Sequence, residues 1–143
     1  MAPMLSPWTR PKPAKKPAPK SLRQRVLVVE DELIIGELAA EALIEAGYEV
    51  FTAASAEEAE VILRDESVDI LFTDIDLGGR DGFDLAQVAL SLQPLISIVF
   101  TSGRSRICHG RCVSVGVPFL AKPYRLTELV ETVERALKPR STQ

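Results

Sequence analysis

The stretch Val68-Asp69-Ile70-Leu71-Phe72-Thr73-Asp74-Ile75-Asp76 constrains the fold more than any other part of the chain. Its apolar run is too short for a helix and rich in branched and aromatic side chains, and it stops at two carboxylates. Gly78, Gly79 and the pair Asp81-Gly82 then force a loop. A run with no polar alternation is a strand buried on both faces, and such strands belong to parallel sheets covered by helices on either side. Asp74 stands at the carboxyl end of that strand, the edge at which open parallel sheets bind their ligands.

The same design appears earlier. Val26-Leu27-Val28-Val29 runs directly into Glu30-Asp31-Glu32. Beyond it Ile35, Leu38, Ala39, Ala42, Leu43 and Ala46 recur at helical spacing, with Gly47 placed as the stop. A short strand over residues 49–53 follows, then a helix opened by Ser55 as N-cap with Glu58 three positions on, carrying Ala59, Ile62 and Leu63 inward. After the Val68 to Thr73 strand, Phe83, Leu85, Ala86, Val88, Ala89 and Leu92 continue as a helix up to Pro94. Ile96 to Phe100 reads as a fourth buried strand and Val117 to Ala121 as a fifth. Leu126, Leu129, Val130, Val133 and Leu137 form a last amphipathic helix before Pro139. Five strands alternating with helices predict right-handed βαβ units, hence an α/β, doubly wound, five-stranded parallel sheet. Residues far apart in sequence, Asp31, Asp74, Ser102 and Lys122, then converge on one edge.

A chain of 143 residues with 46% hydrophobic content holds one such domain with a proper core. Its net charge of −3 divides into +7 on the first 25 residues, which contain no acid, and −10 on the remainder. Six of the ten prolines fall within the first 19 residues. Residues 1–24 are therefore expected to be a disordered, Pro/Lys-rich arm, solvated or in contact with an anionic partner, with the folded domain at 25–139 and a short tail at 140–143. No apolar run approaches the roughly 20 residues needed to span a bilayer, and the N-terminus lacks a signal-peptide core, so a cytoplasmic protein without membrane contact is expected. Cys108 and Cys112 are too close in sequence to staple distant parts of a fold. On a helix they would share a face while His109 points elsewhere, which argues against a metal site there.

Glu30, Asp31 and Asp74 repel one another unless a cation lies among them, and an all-oxygen cluster suits a hard ion such as Mg²⁺. Lys122 supplies a second positive charge. A hydroxyl from Ser102 or Thr101 and backbone amides after Asp74 complete a pocket for a phosphoryl group. The chemistry this pattern favours is transfer of phosphate onto Asp74, with the metal and Lys122 neutralising the transferring oxygens.

Leu27-Val28-Val29-Glu30-Asp31-Glu32, Asp74 with Asp81-Gly82 beyond it, the hydroxyl-glycine run at 101–103, and Phe119-x-x-Lys122-Pro123 together resemble a receiver domain of a two-component response regulator, over roughly residues 24–139. The resemblance implies a flavodoxin-like fold and phosphorylation of Asp74 by a histidine kinase or phosphotransfer protein. It also implies Mg²⁺ held by Glu30, Asp31, Asp74 and the Asp76 backbone carbonyl, and a cis Lys122–Pro123 bond. Counting from Gly82 puts the family's switch hydroxyl on Ser102, with Thr101 as the alternative. Phe119 resembles the aromatic that moves inward when that hydroxyl engages phosphate.

Three departures stand out. Gly78 replaces the proline usual after the phosphorylated aspartate and is expected to loosen that loop. Asp76 puts a carboxylate two residues from Asp74. The stretch between Ser102 and Phe119 is shorter than usual, contains Arg104, Arg106 and Arg111, and suggests a weak helix there. Phe100-Thr101-Ser102-Gly103 resembles the Phe-Ala-Thr-Gly subgroup of stand-alone receivers. As no DNA-binding or catalytic region follows Pro139, the implied function is a single-domain response regulator, monomeric or weakly dimeric. It would signal through protein contacts or phosphoryl shuttling, with no enzymatic activity beyond self-phosphorylation and self-dephosphorylation. A receiver excised from a hybrid kinase is the alternative. A haloacid dehalogenase-type phosphatase, suggested by Asp74-Ile75-Asp76, is disfavoured because that family carries its Asp-x-Asp on the first strand.

Overall fold

In a computed structural model, residues 23–103 and 117–137 are described. The arm before residue 23 and the Arg-rich segment from Arg104 to Val115, with Cys108, His109 and Cys112, lie outside the described residues, as does the tail. The elements run β1 (Arg25–Val29), α1 (Leu33–Glu45), β2 (Glu49–Ala53), α2 (Ala56–Asp65), β3 (Ile70–Asp74), α3 (Gly82–Leu92), β4 (Ser97–Ser102), β5 (Phe119–Ala121) and α4 (Leu126–Leu137). All five strands are parallel, in the order β2-β1-β3-β4-β5. The chain reverses its direction of winding at β1, so the crevice between the carboxyl ends of β1 and β3 is the topological switch point.

Alternation along each strand divides the interior into two layers. Leu27, Val29, Leu71, Ile75 and Phe100 face α2 and α3, whereas Val26, Val28, Ile70, Phe72 and Val99 face α1 and α4. β3 is buried along its whole length, as its unbroken apolar pattern requires. At the amino edge Arg25 ties three elements together, through Glu49 at 3.2 Å, Glu66 at 3.2 Å and the Ser67 carbonyl at 3.0 Å.

The helix ends follow their capping chemistry. Ser55 Oγ accepts from the Glu58 amide at 3.1 Å while Glu58 accepts from the Ala54 amide at 2.8 Å, and Asp81 caps α3 by accepting from the Asp84 amide at 2.9 Å. Gly47 ends α1 with φ at 105°, the left-handed conformation that glycine adopts without a Cβ penalty.

Several boundaries and faces differ from the sequence expectation. β3 begins at Ile70 rather than Val68, because the Val68 amide turns to the Gln93 side chain at 2.9 Å. β4 continues through Thr101 and Ser102, which pair with β5. β5 begins at Phe119, not Val117, since Pro118 has no N–H to give the ladder. On α1 the buried face is Gly36, Ala39, Ala40 and Leu43, while Leu38 is 47% exposed. That helix is apolar nearly all round, so periodicity alone could not select its inner face; the small residues allow close approach to the sheet. Gly82 opens α3 rather than belonging to the preceding loop, and a side chain there would collide with the Asp74 carbonyl oxygen.

Candidate functional site

The parallel strands deliver four chemically active groups to one edge. β1 leads into Glu30, β3 ends on Asp74, β4 ends on Ser102, and β5 leads into Lys122, whose amide donates to the Ser102 carbonyl at 3.0 Å. Asp74 and Glu30 are buried, while Asp31 is exposed.

Lys122 Nζ lies 2.8 Å from Asp74 Oδ2 and 2.9 Å from Glu30 Oε1, bridging the two buried carboxylates. The remaining oxygens meet backbone amides: Asp74 Oδ1 accepts from Asp76 N at 3.0 Å, and Glu30 Oε2 from Glu32 N at 3.2 Å. Burial by itself would push the Lys122 ammonium down. The hydrogen bonds and attraction of Asp74 and Glu30 outweigh it and hold Lys122 well above the ordinary lysine range. Burial raises the Glu30 carboxyl, helped by the Asp74 charge and opposed by Lys122 and the Glu32 amide. Tyr124, which packs edge-on against Phe72 at 5.9 Å, has its hydroxyl pushed up to about 12 by burial and the nearby Glu30 charge.

Glu30, Asp31 and Asp74 each offer a carboxylate oxygen within 4.8 Å of the others. Three oxygen donors gathered this closely, two of them buried, make a set that would suit a hard divalent cation such as Mg²⁺.

The neighbouring hydroxyls part company. Thr101 Oγ1 donates to the Leu120 carbonyl at 2.6 Å, across the β4–β5 ladder, whereas Ser102 Oγ donates to Asp76 Oδ2 at 3.0 Å on the loop that carries Asp74 forward. Sequence reasoning identified each residue but not this coupling between Asp76 and Ser102, since no local pattern links positions 26 apart. Phe119 is half-buried and packs against the layer containing Phe83 and Phe100. The Lys122–Pro123 peptide is cis. Gly78, at the position where the family pattern has proline, has φ at 87°. Proline is locked near −65°, so this backbone excludes it.

The response regulator receiver domain matches residues 26–134. The chain belongs to that family. Transcriptional regulatory protein PdtaR of Mycobacterium tuberculosis is 30% identical over 122 residues, covering 84% of this chain and 60% of PdtaR. Response regulator receiver protein CpdR of Brucella abortus is 29% identical over 116 residues, covering 80% of this chain and 97% of CpdR. The chain thus spans less than two thirds of PdtaR and nearly all of CpdR. Among solved structures, a CheY-like receiver domain protein from Methanospirillum hungatei superposes with a TM-score of 0.74 at 26% identity, covering 80% of this chain and 94% of that one. The receiver domain of hybrid histidine kinase CckA gives 0.69 at 34% identity, covering 80% and 99%. A Burkholderia pseudomallei response regulator with a phosphorylated aspartic acid and a calcium ion gives 0.70 at 28% identity, covering 82% and 68%. This receiver domain is therefore part of a two-component system. Among the described residues no helix is long and apolar enough to cross a membrane.

Proposed function

We propose that Asp74 is the phosphoacceptor of a single-domain response regulator, with residues 25–139 as the receiver, 1–24 as a Pro/Lys-rich arm and 140–143 as a tail. The observation that carries this reading is the placement of Asp74, buried at the switch point with one carboxylate oxygen on Lys122 Nζ and the other on a backbone amide. Such a carboxylate is held still for in-line attack. A carboxylate oxygen attacks the phosphorus of a phosphohistidine on a histidine kinase or phosphotransfer protein. The P–N bond breaks, its electron pair stays on the imidazole nitrogen, and an acyl phosphate remains on Asp74. Self-dephosphorylation removes that group: water attacks phosphorus, the P–O bond to Asp74 breaks with its electron pair returning to the carboxylate, and inorganic phosphate departs. Enzymatic activity is limited to these two steps.

Glu30, Asp31, Asp74 and the Asp76 backbone carbonyl would hold Mg²⁺, which when bound neutralises charge on the transferring oxygens. Lys122 exchanges its bond to Asp74 for one to a phosphoryl oxygen, and the Ser102 hydroxyl donates to another. Thr101, committed to the Leu120 carbonyl, keeps a structural place in the ladder. Rotation of the Ser102 side chain toward the phosphoryl group leaves room at the β4–β5 edge for Phe119, which reports the modification to a protein partner. The domain acts in the cytoplasm as a monomer or weak dimer, in the manner of the Phe-Ala-Thr-Gly receivers. A second reading, a receiver detached from a hybrid kinase, draws on the 34% identity to the CckA receiver.

Intact-mass measurement after incubation with acetyl phosphate and Mg²⁺ tests the assignment. One acid-labile phosphate is expected on the unmodified sequence and none on Asp74→Asn. Phosphate on the Asn variant would refute it.

A further inference from the structure

Asp76 touches both halves of the proposed switch. Its amide donates to Asp74 Oδ1 at 3.0 Å, and its own carboxylate accepts from Ser102 Oγ at 3.0 Å. A serine hydroxyl has one proton to donate, and a carboxylate offers none in return. The Ser102 proton can therefore serve Asp76 or a phosphoryl oxygen on Asp74, but not both. Ser102 is fully buried and its backbone is fixed in the β4–β5 ladder, so its hydroxyl changes partner by rotation alone. The Asp76 side chain is on the exposed side of the loop, while its backbone is pinned by a bridge to Asp81. The Asp76 backbone can thus stay in place, and β3 with it, when the carboxylate gives up the hydroxyl.

We propose that Asp76 is a positioning residue that occupies the Ser102 hydroxyl in the unmodified protein, so that phosphorylation must break the Asp76–Ser102 bond before Ser102 can engage. This rests on the reading of Asp74 as phosphoacceptor. The bond is a toll on activation: it stabilises the unmodified state and lowers affinity for anything that mimics the phosphoryl group. With its carboxylate acceptor on an exposed residue, the bond is worth about what an ordinary hydrogen bond is, a factor of roughly three to ten in an equilibrium constant.

The test is a double-mutant cycle on the full chain, titrating beryllofluoride with Mg²⁺ and reading binding by calorimetry. Asp76→Ala is expected to bind roughly threefold to tenfold more tightly than the parent protein. In a Ser102→Ala background the same change should alter affinity by less than about twofold, because the hydroxyl under competition is gone. Equal tightening in both backgrounds would mean that Asp76 acts only by charge repulsion, and overturns the proposal. Asp76→Asn keeps an acceptor for Ser102 while removing the charge, so it should gain less than Asp76→Ala; an equal or larger gain also counts against the latch. Asp74→Asn separates the two levels of inference. If it still binds beryllofluoride, or if the parent protein does not, the phosphoacceptor assignment fails and the latch with it. A failed cycle on a protein whose binding needs Asp74 removes the latch alone.

Discussion

Replacing Gly82 by alanine puts a methyl group where the structure has no room. The new Cβ would overlap the Asp74 carbonyl oxygen and lie 3.0 Å from Ile75 Cα and 3.2 Å from the Asp74 carbonyl carbon. Non-bonded carbons settle at about 3.5–4.0 Å, so the first turn of α3 must retreat from β3 by several tenths of an ångström. Every atom it meets is backbone, with no rotamer to yield. The Gly82 amide also donates to the Ile75 carbonyl at 2.8 Å, and that bond stretches with the retreat. Overpacking of this sort costs about 1–3 kcal/mol. For a domain of this size each kcal/mol lowers Tm by roughly 4 °C, so a drop of about 4–12 °C is expected. The atoms the methyl presses on belong to Asp74 itself. Even a few tenths of an ångström passed on to a reacting group lowers its rate, so phosphorylation by acetyl phosphate should slow more than stability alone explains. Thermal denaturation followed by circular dichroism, with Gly79→Ala as the control, measures the first effect, because a Cβ on Gly79 meets nothing within 4 Å. A Gly82→Ala protein that melts within a degree or so of the parent would refute the close-approach argument.

Lys122→Met leaves Glu30 and Asp74 buried together without their cation, and a loss of about 3–5 kcal/mol at neutral pH is expected in urea titrations. The loss should shrink on acidification: the Glu30 carboxyl is raised by burial, so the stability from its protonated form is present at low pH and disappears as pH rises through its folded value. Millimolar Mg²⁺ should raise Tm, by the equivalent of about 2.7 kcal/mol at a hundred times its Kd, and Asp31→Asn should abolish most of that gain without lowering Tm in chelator. Gly78→Pro, at φ 87°, should destabilise the fold even though it restores the family's usual residue, and an unchanged melting curve would contradict the left-handed backbone. Both tyrosines are raised by burial, Tyr124 to about 12 and Tyr48 in the same direction. The stability they confer is intact below pH about 10 and is lost as pH climbs through the folded values. Tyrosinate absorbance should therefore lag that of the urea-unfolded chain; ionisation near pH 10 with the fold intact would count against it.

The doubly wound α/β class, and the edge on which the acids and Lys122 gather, were legible in the sequence because both follow from local rules. Unbroken apolar runs at Val26–Val29 and Ile70–Phe72 permit little besides buried parallel strands, and parallel strands must end together. The helix stop at Gly47 and the cap at Ser55 are equally local, since each is set by a residue's own backbone preference or hydrogen bonding. Tertiary structure decided what depends on partners distant in sequence. Which face of α1 turns inward was hidden by a helix apolar everywhere but along Glu37, Glu41 and Glu45, and only contact with the sheet selects Gly36 and Ala39 over Leu38. Thr101 and Ser102 have the same chemistry, and they are told apart by the Leu120 carbonyl beside one and the Asp76 carboxylate beside the other. Gly82 resembled a turn glycine until the backbone of Asp74 was found against it. The strand that ends on Asp74 was legible from its composition, but the contacts that hold its carboxylate, and the Asp76–Ser102 bond beside it, come from chain segments that only folding brings together.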